Sequence, residues 1–371
     1  MRTTIFPMLH VAATPVANHL WQSTVFVLAV SLLTFLFAKN RARIRYMLWL
    51  AASAKFLIPF SVLTTLGSLI PLPTHLSHTV QPSLISYAYI ANQPFSANGI
   101  TGGFSNQNLS SHIESWLPAA FATIWALGVA AVLLTWYVRW RQVSKILQRS
   151  VPVVESREIE ILRRIENEAN LPTRIRFVVS SDMMEPGVYG IFHPVMLWPA
   201  KLSAQLEDAH LDAILAHEVA HVQHRDNLTA SLHMIVEAIF WFHPLVWWIE
   251  RKLLEERERA RDEAVVGVGS GAEVYAESLL KVSRFCTEVP LPYVAGITGA
   301  DLSRRIRSIM LSNSSDLGMT KKLVLAACAV IAVAGPVAFG LRPCAGYSAR
   351  RAGSTHDRAA SNLRSDLHQA K

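Results

Sequence analysis

The run Leu211-Asp212-Ala213-Ile214-Leu215-Ala216-His217-Glu218-Val219-Ala220-His221 carries a fold signal and a chemical signal together. Leu206, Leu211, Ile214, Leu215 and Val219 recur with a period near 3.6, so residues 203–224 are expected to form a helix with Ser203 as its cap. On such a helix His217 and His221, four apart, share one face and can point at a single metal ion. Glu218, beside the first of them, would sit next to water activated by that ion. Zinc brings the pKa of such a water to about 7, and Glu218 can take its proton and deliver it to a leaving amine. The plain alternative is a helix with two satisfied histidines. The polar residues that follow, His224, Arg225 and Asp226, favour the metal site.

Working outward, residues 155–169 have the charge density of an exposed helix, and Ile175–Val179 is a short β-branched run. Gly187 to Trp198, with Pro194 and Pro199, reads as a hairpin of short strands. Residues 139–320 therefore form an α+β unit. A catalytic zinc needs a third protein ligand and one open position. The densest carboxylate source is Glu250 to Glu263, most of which reads as a solvated helix laced with ion pairs. The apolar run Leu228–Ile249 lies between, and a single membrane crossing there would separate the two segments by about 30 Å. For a carboxylate such as Glu258 to share an ion with His217 and His221, the run must go up and return, with Pro244 as the turn. Each arm then measures roughly 20–25 Å at 1.5 Å per residue. His233, Glu237 and His243 within it are unwelcome facing lipid. A helical hairpin that packs against or dips into the membrane is expected.

Of the 371 residues 51% are hydrophobic and only 17% charged, which places the chain with membrane proteins. Its net charge of +8 fits cytoplasmic loops that collect Lys and Arg, so no direct nucleic-acid partner is expected. Three distant cysteines, Cys286, Cys328 and Cys344, give neither a disulfide framework nor a thiolate metal site. Four stretches are apolar enough to cross a bilayer: about 20–38, 46–70, 116–138 and 323–341. The cluster Lys39, Arg41, Arg43, Arg45 follows the first, and Arg139, Arg141 and Lys145 follow the third, whereas no Lys or Arg occurs between Phe56 and Val138. The positive-inside rule puts 39–45 and 139–322 in the cytoplasm, with the N-terminus, the loop 71–115 and the tail 342–371 outside. The first span reads as an N-out anchor, and the tail as disordered. The expected architecture is a mainly α membrane protein: a domain of three transmembrane helices over 1–138, a cytoplasmic zinc domain over 139–320, a fourth helix at 323–341 and a short outer tail.

Several motifs together carry a family resemblance. They are Asn18-His19-Leu20-Trp21-Gln22-Ser23, Arg45-Tyr46-Met47-Leu48-Trp49-Leu50 with Ala54-Lys55-Phe56, and Pro186-Gly187-Val188-Tyr189-Gly190 with Pro194. To these are added His217–His221, Arg225-Asp226, Trp241-Phe242-His243-Pro244-Leu245-Val246-Trp247, and Arg304-Arg305-Ile306. With these the chain resembles the BlaR/MecR-type membrane peptidases, family 56 of the metallopeptidases. The resemblance implies a bacterial inner-membrane protein with a gluzincin-type zinc domain, whose third ligand is a Glu four residues before an Asp. Glu258 and Asp262 match that spacing, and Asp226 and Asp262 would orient the histidines. It also implies a protein substrate, a cytoplasmic transcriptional repressor of the BlaI/MecI type, cut in response to an outside signal. Only about 29 residues follow the last span, so the penicillin-binding sensor of BlaR/MecR is not expected and β-lactam sensing is not implied.

Membrane lipid and a second copy of the chain are further partners that this reading admits. Tyr189, His224 and His243 are candidates for the second electrophile beside zinc. His210, His224 and His233 read as surface or core histidines rather than ligands, Lys55 as a structural charge in the second span, and Arg304, Arg305 and Arg307 as the positive flank of the last span. Two other functions compete. A receptor or scaffold with a structural zinc would need four protein ligands and no Glu218. A transporter would show repeats and broken helices at mid-membrane.

Overall fold

A computed structural model of the chain describes residues 5–69, 95, 113–181, 185–269, 271–287, 299–311 and 318–340; most of the loop 71–115 and the tail 342–371 lie outside them. The described chain is mainly helical with one four-stranded mixed sheet. It divides into one unit of Met1–His10, Ser23–Leu57 and Phe104–Leu317, and a second of Val11–Gln22, Ile58–Gly103 and Gly318–Lys371.

The sheet belongs to the first unit. Its strands β1 (Val151–Pro152), β2 (Arg176–Ser180), β3 (Gly187–Tyr189) and β4 (Val195–Pro199) lie in the order β1-β2-β4-β3, with β2 and β4 parallel and the other pairs antiparallel. The expected hairpin of short strands is the β3–β4 pair. Period-two alternation splits the strands between two faces. Phe177, Met196 and Trp198 enter the main core, while Val178 and Leu197 meet Ile146 and Leu147 on the other side.

The end of α4 (Ile113–Arg149) covers that second face, while α5 (Arg157–Glu168) and α6 (Asp208–Gln223) frame the main core. Leu211, Ile214, Leu215 and Val219 of α6 are buried with Ile159, Leu162 and Ile165 of α5. Each such side chain contributes about 1.5–3 kcal/mol by leaving water. Helix α6 begins five residues later than expected. Ser203–Gln205 is a single 3₁₀ turn, Leu206 is extended (φ −117°, ψ 134°), and the Ser203 hydroxyl accepts from Trp198 Nε1 at 2.8 Å instead of capping a helix.

The hairpin expected after His221 is present. Helix α7 (Asp226–Ile239) runs out, residues 240–243 turn, and α8 (Pro244–Val268) returns, with Pro244 in its first turn, where no N–H is missed. Trp125 Nε1 donates to Ile239 O at 2.9 Å, and Trp241 Nε1 to Trp125 O at 3.2 Å, so α4 clamps the hairpin tip. Gly128 permits this approach, since a Cβ there would fall 1.9 Å from the Trp241 ring.

One expectation is corrected: 46–70 is not a single helix. Helix α2 (Ala42–Leu57) ends before Pro59, which is extended (φ −63°, ψ 143°), and α3 (Phe60–Ser68) begins afresh. Proline lacks the N–H and biases its predecessor away from helix. Helix α2 is bound into the first unit through Tyr46, Trp49 and Phe56 against Val236, Val246, Ile249 and Leu253. Its Arg45 Nε donates to Glu256 Oε2 at 2.8 Å in the interior.

The first unit closes with α9 (Ala272–Thr287) and α10 (Gly299–Met310), whose Tyr275, Leu279, Leu302 and Ile309 pack on Ala213 of α6 and Val265 of α8. In the second unit α3 lies along α11 (Met319–Gly340), the helix over the fourth apolar stretch, and the Phe95 N–H donates to Asn18 Oδ1 at 3.1 Å. Among the described residues two helical stretches are long and apolar enough to cross a membrane, Thr14–Leu36 within α1 (Ile5–Leu36) and Trp116–Arg149 within α4.

Candidate active site

Helix α6 presents His217 and His221 on one face, and α8 returns antiparallel to set Glu258 opposite them. The two Nε2 atoms stand 3.1 Å apart, and Glu258 Oε2 lies 3.4 Å from the first and 4.0 Å from the second. Four-coordinate zinc with bonds of about 2.0–2.1 Å separates its ligand atoms by roughly 3.3 Å, so the spacing suits one ion. Among the described residues this is the group of His, Cys, Asp and Glu gathered tightly enough for a metal.

The rear nitrogens explain why the front ones face inward. His221 Nδ1 lies 2.7 Å from Asp226 Oδ2, and Asp226 is itself gripped by Arg261, Nε to Oδ2 at 2.8 Å and Nη2 to Oδ1 at 2.9 Å. Arg225 between α6 and α7 adopts φ +54°, ψ +43°, a left-handed corner that brings Asp226 back under His221. His217 Nδ1 meets the Tyr275 hydroxyl at 2.8 Å; that hydroxyl donates to Asp262 Oδ1 at 2.6 Å, and Arg305 holds Asp262 at 3.0 and 2.7 Å. Both Nδ1 atoms therefore carry the hydrogen. Two imidazole nitrogens and a carboxylate oxygen converge from two helices, their side chains held from behind. That donor set could hold a metal ion.

Burial pushes the Asp226 carboxyl up, but the hydrogen bonds from His221 and Arg261 more than offset it and hold it below its ordinary value. Glu218, 9% exposed, is pushed up to about 7, chiefly by burial. Tyr189 is pushed up to about 12, by burial first and then by the charges of Glu218 and Glu185, so it stays a hydrogen-bond donor at neutral pH.

These residues line a cleft of about 820 Å³ walled by β3, α6, α8, α9 and α10. Edge strand β3 forms one wall, and Asn227 Nδ2 ties it to α7 by donating to Val188 O at 3.1 Å and Gly190 O at 2.9 Å. Gly190 has φ +93°, and a Cβ there would stand 2.5 Å from His193 O, so the β3–β4 turn requires glycine.

Of the three candidate electrophiles only Tyr189 lines the cleft. His224 ends α6 with Nδ1 donating to Ala220 O at 2.9 Å, and His243 sits at the hairpin tip with Nε2 3.3 Å from Thr24 Oγ1. His210 lies by Lys281 and Glu277, and His233 by Ser53 and Glu237. Two expectations are corrected. Arg305 is not simply a positive flank of the last span; its side chain is 12% exposed and pairs with Asp262. Nor is 250–263 mainly solvated, because Glu256 pairs with Arg45, Arg261 is 1% exposed, and Glu263 accepts the Ala42 N–H at 3.0 Å.

Two histidines and a glutamate gathered this tightly on a helix–hairpin frame define a candidate metal centre. The family profile described as BlaR1 peptidase M56 matches residues 16–309, and the chain belongs to that family. It is 26% identical over 165 residues to the regulatory protein BlaR1 of Bacillus licheniformis, covering 43% of this chain and 27% of the relative. It is 24% identical over 210 residues to the methicillin resistance mecR1 protein of Staphylococcus aureus, covering 55% and 35%. The matches thus span about a third or less of these relatives' own length. The crystal structure of S. mikatae Ste24p overlaps 79% of this chain at 11% identity and a TM-score of 0.31, too distant to define the fold.

Proposed function

We propose that this chain is an integral membrane zinc-dependent endopeptidase of signal transduction that cuts a cytoplasmic protein. What carries the reading is the convergence of His217 Nε2, His221 Nε2 and Glu258 Oε2 as acceptors within one ion's reach. When bound, zinc polarises a scissile carbonyl and makes water acidic enough to yield hydroxide near pH 7. Glu218 takes the proton released in the cleft and hands it to the leaving amine; its raised pKa suits a group that must do both. Tyr189 donates to the oxygen on which negative charge develops. Asp226 and Asp262 orient the histidines.

The membrane scheme is part of the proposal: crossings near 20–38, 46–70, 116–138 and 323–341, the zinc domain 139–320 in the cytoplasm, and the hairpin of α7 and α8 against the bilayer. The second crossing is broken at Pro59. A repressor of the BlaI/MecI type is the proposed substrate, on the ground of family membership. Metal analysis of the detergent-purified chain tests the centre of the reading. One zinc per chain is expected in the wild type and in Glu218→Gln, and loss of it in His221→Ala; a metal-free wild type would overturn it.

A further inference from the structure

The two histidines are supported unequally. His221 reaches its carboxylate directly, whereas His217 reaches Asp262 through a phenol. Asp262 Oδ1 is 3.5 Å from His217 Nδ1, too long for a good hydrogen bond, while Tyr275 Oη closes the gap with 2.8 and 2.6 Å contacts. Because the Tyr275 hydroxyl gives its one hydrogen to Asp262, its oxygen can only accept from His217. Arg305 fixes the far end, with Nη2 2.7 Å from Asp262 Oδ1 and 3.4 Å from Tyr275 Oη. Tyr275 is fully buried, and its ring lies 6.1 Å from the imidazole of His217.

We propose that Tyr275 is a positioning residue that fixes the tautomer and ring angle of His217 and so sets the affinity of the centre for its metal. The proposal rests on the zinc reading above. Tyr275 holds a proton in place at Nδ1 and needs no contact with the ion or with a peptide. It comes from α9, more than fifty residues beyond His217, so the closing of α9 over α6 completes the centre. Metal affinity thereby becomes a property of the whole folded unit rather than of the α6–α8 pair.

The test compares the full-length chain with Tyr275→Phe in detergent, measuring zinc dissociation by chelator competition, the cobalt-loaded visible spectrum, and the melting temperature of the metal-free protein. Groups that orient metal-binding histidines typically change affinity 10–100-fold, and Tyr275→Phe is expected to weaken zinc about tenfold, because Asp262 can close part of the gap. The metal-free melting temperature should fall by no more than that of the control Tyr46→Phe, while the cobalt bands shift. Equal zinc affinity and an unchanged cobalt spectrum would overturn the proposal while leaving the zinc reading intact. A wild type that binds no zinc would overturn both. If Tyr275→Phe loses zinc only by unfolding, seen as a collapse of the metal-free melt, the residue is structural and the proposal fails.

Discussion

His221 Nδ1 and Asp226 Oδ2, five positions apart in the chain, stand 2.7 Å from each other because left-handed Arg225 folds the chain back between α6 and α7. The same aspartate neutralises Arg261 from α8, so one carboxylate joins the histidine helix to both arms of the hairpin.

Asp226→Asn should therefore act twice. Zinc affinity should fall 10–100-fold as His221 loses its charged acceptor, and stability should fall by about 3–5 kcal/mol because Arg261 is left charged and buried. The depressed Asp226 carboxyl stabilises the fold fully above its unfolded value near 3.9, and that stabilisation is lost as pH falls through its lower folded value. Acid melts of the metal-free chain should thus be shallower in Asp226→Asn than in the wild type. Superimposable acid limbs would contradict the assignment.

Burial pushes Glu218 up to about 7, so a large share of it is expected to be protonated at pH 6 before metal is added. A dication beside it favours the carboxylate, and metal binding must expel that proton. Calorimetry in two buffers of different ionisation enthalpy should show wild type releasing up to about one proton more than Glu218→Gln. Equal release would place the Glu218 carboxyl outside the site.

Tyr189→Phe should leave zinc affinity unchanged and lower kcat by about 10²–10³, the usual effect of losing one donor to a developing oxyanion. A loss confined to KM would make Tyr189 a binding residue instead.

How much of this was legible in the sequence follows from where the information sits. His217, Glu218 and His221 lie within five residues on one helix, and periodicity alone puts the two histidines on one face with Glu218 beside the first. Pro244 marked the hairpin turn for the same local reason. Glu258 and Asp262 were indistinguishable by spacing from the charges around them, and only family resemblance singled them out. Arg261 sits in a charge run that reads as a solvated helix, and Arg305 in what reads as the positive flank of a span; the sign of burial for Arg261 is Val265 on the same α8 face as Glu258, Arg261 and Asp262. Tyr275 had no local signal, since its role exists only once α9 has packed. The break at Pro59 was visible, but a hydropathy window averages over a single proline.

Gly190→Ala should destabilise the β3–β4 turn by about 1–3 kcal/mol, from the positive φ and the clash with His193 O. Because Tyr189 is the preceding residue, kcat should fall more than zinc affinity. A fully active, equally stable variant would show that the turn does not position Tyr189.

The most direct test of the account compares the wild-type chain with Glu218→Gln, each co-expressed with a repressor of the proposed class, scoring repressor cleavage and bound zinc in the same preparations. The account predicts one zinc per chain in both and cleavage in the wild type alone. Cleavage that persists in Glu218→Gln, or a wild type without zinc, would contradict it.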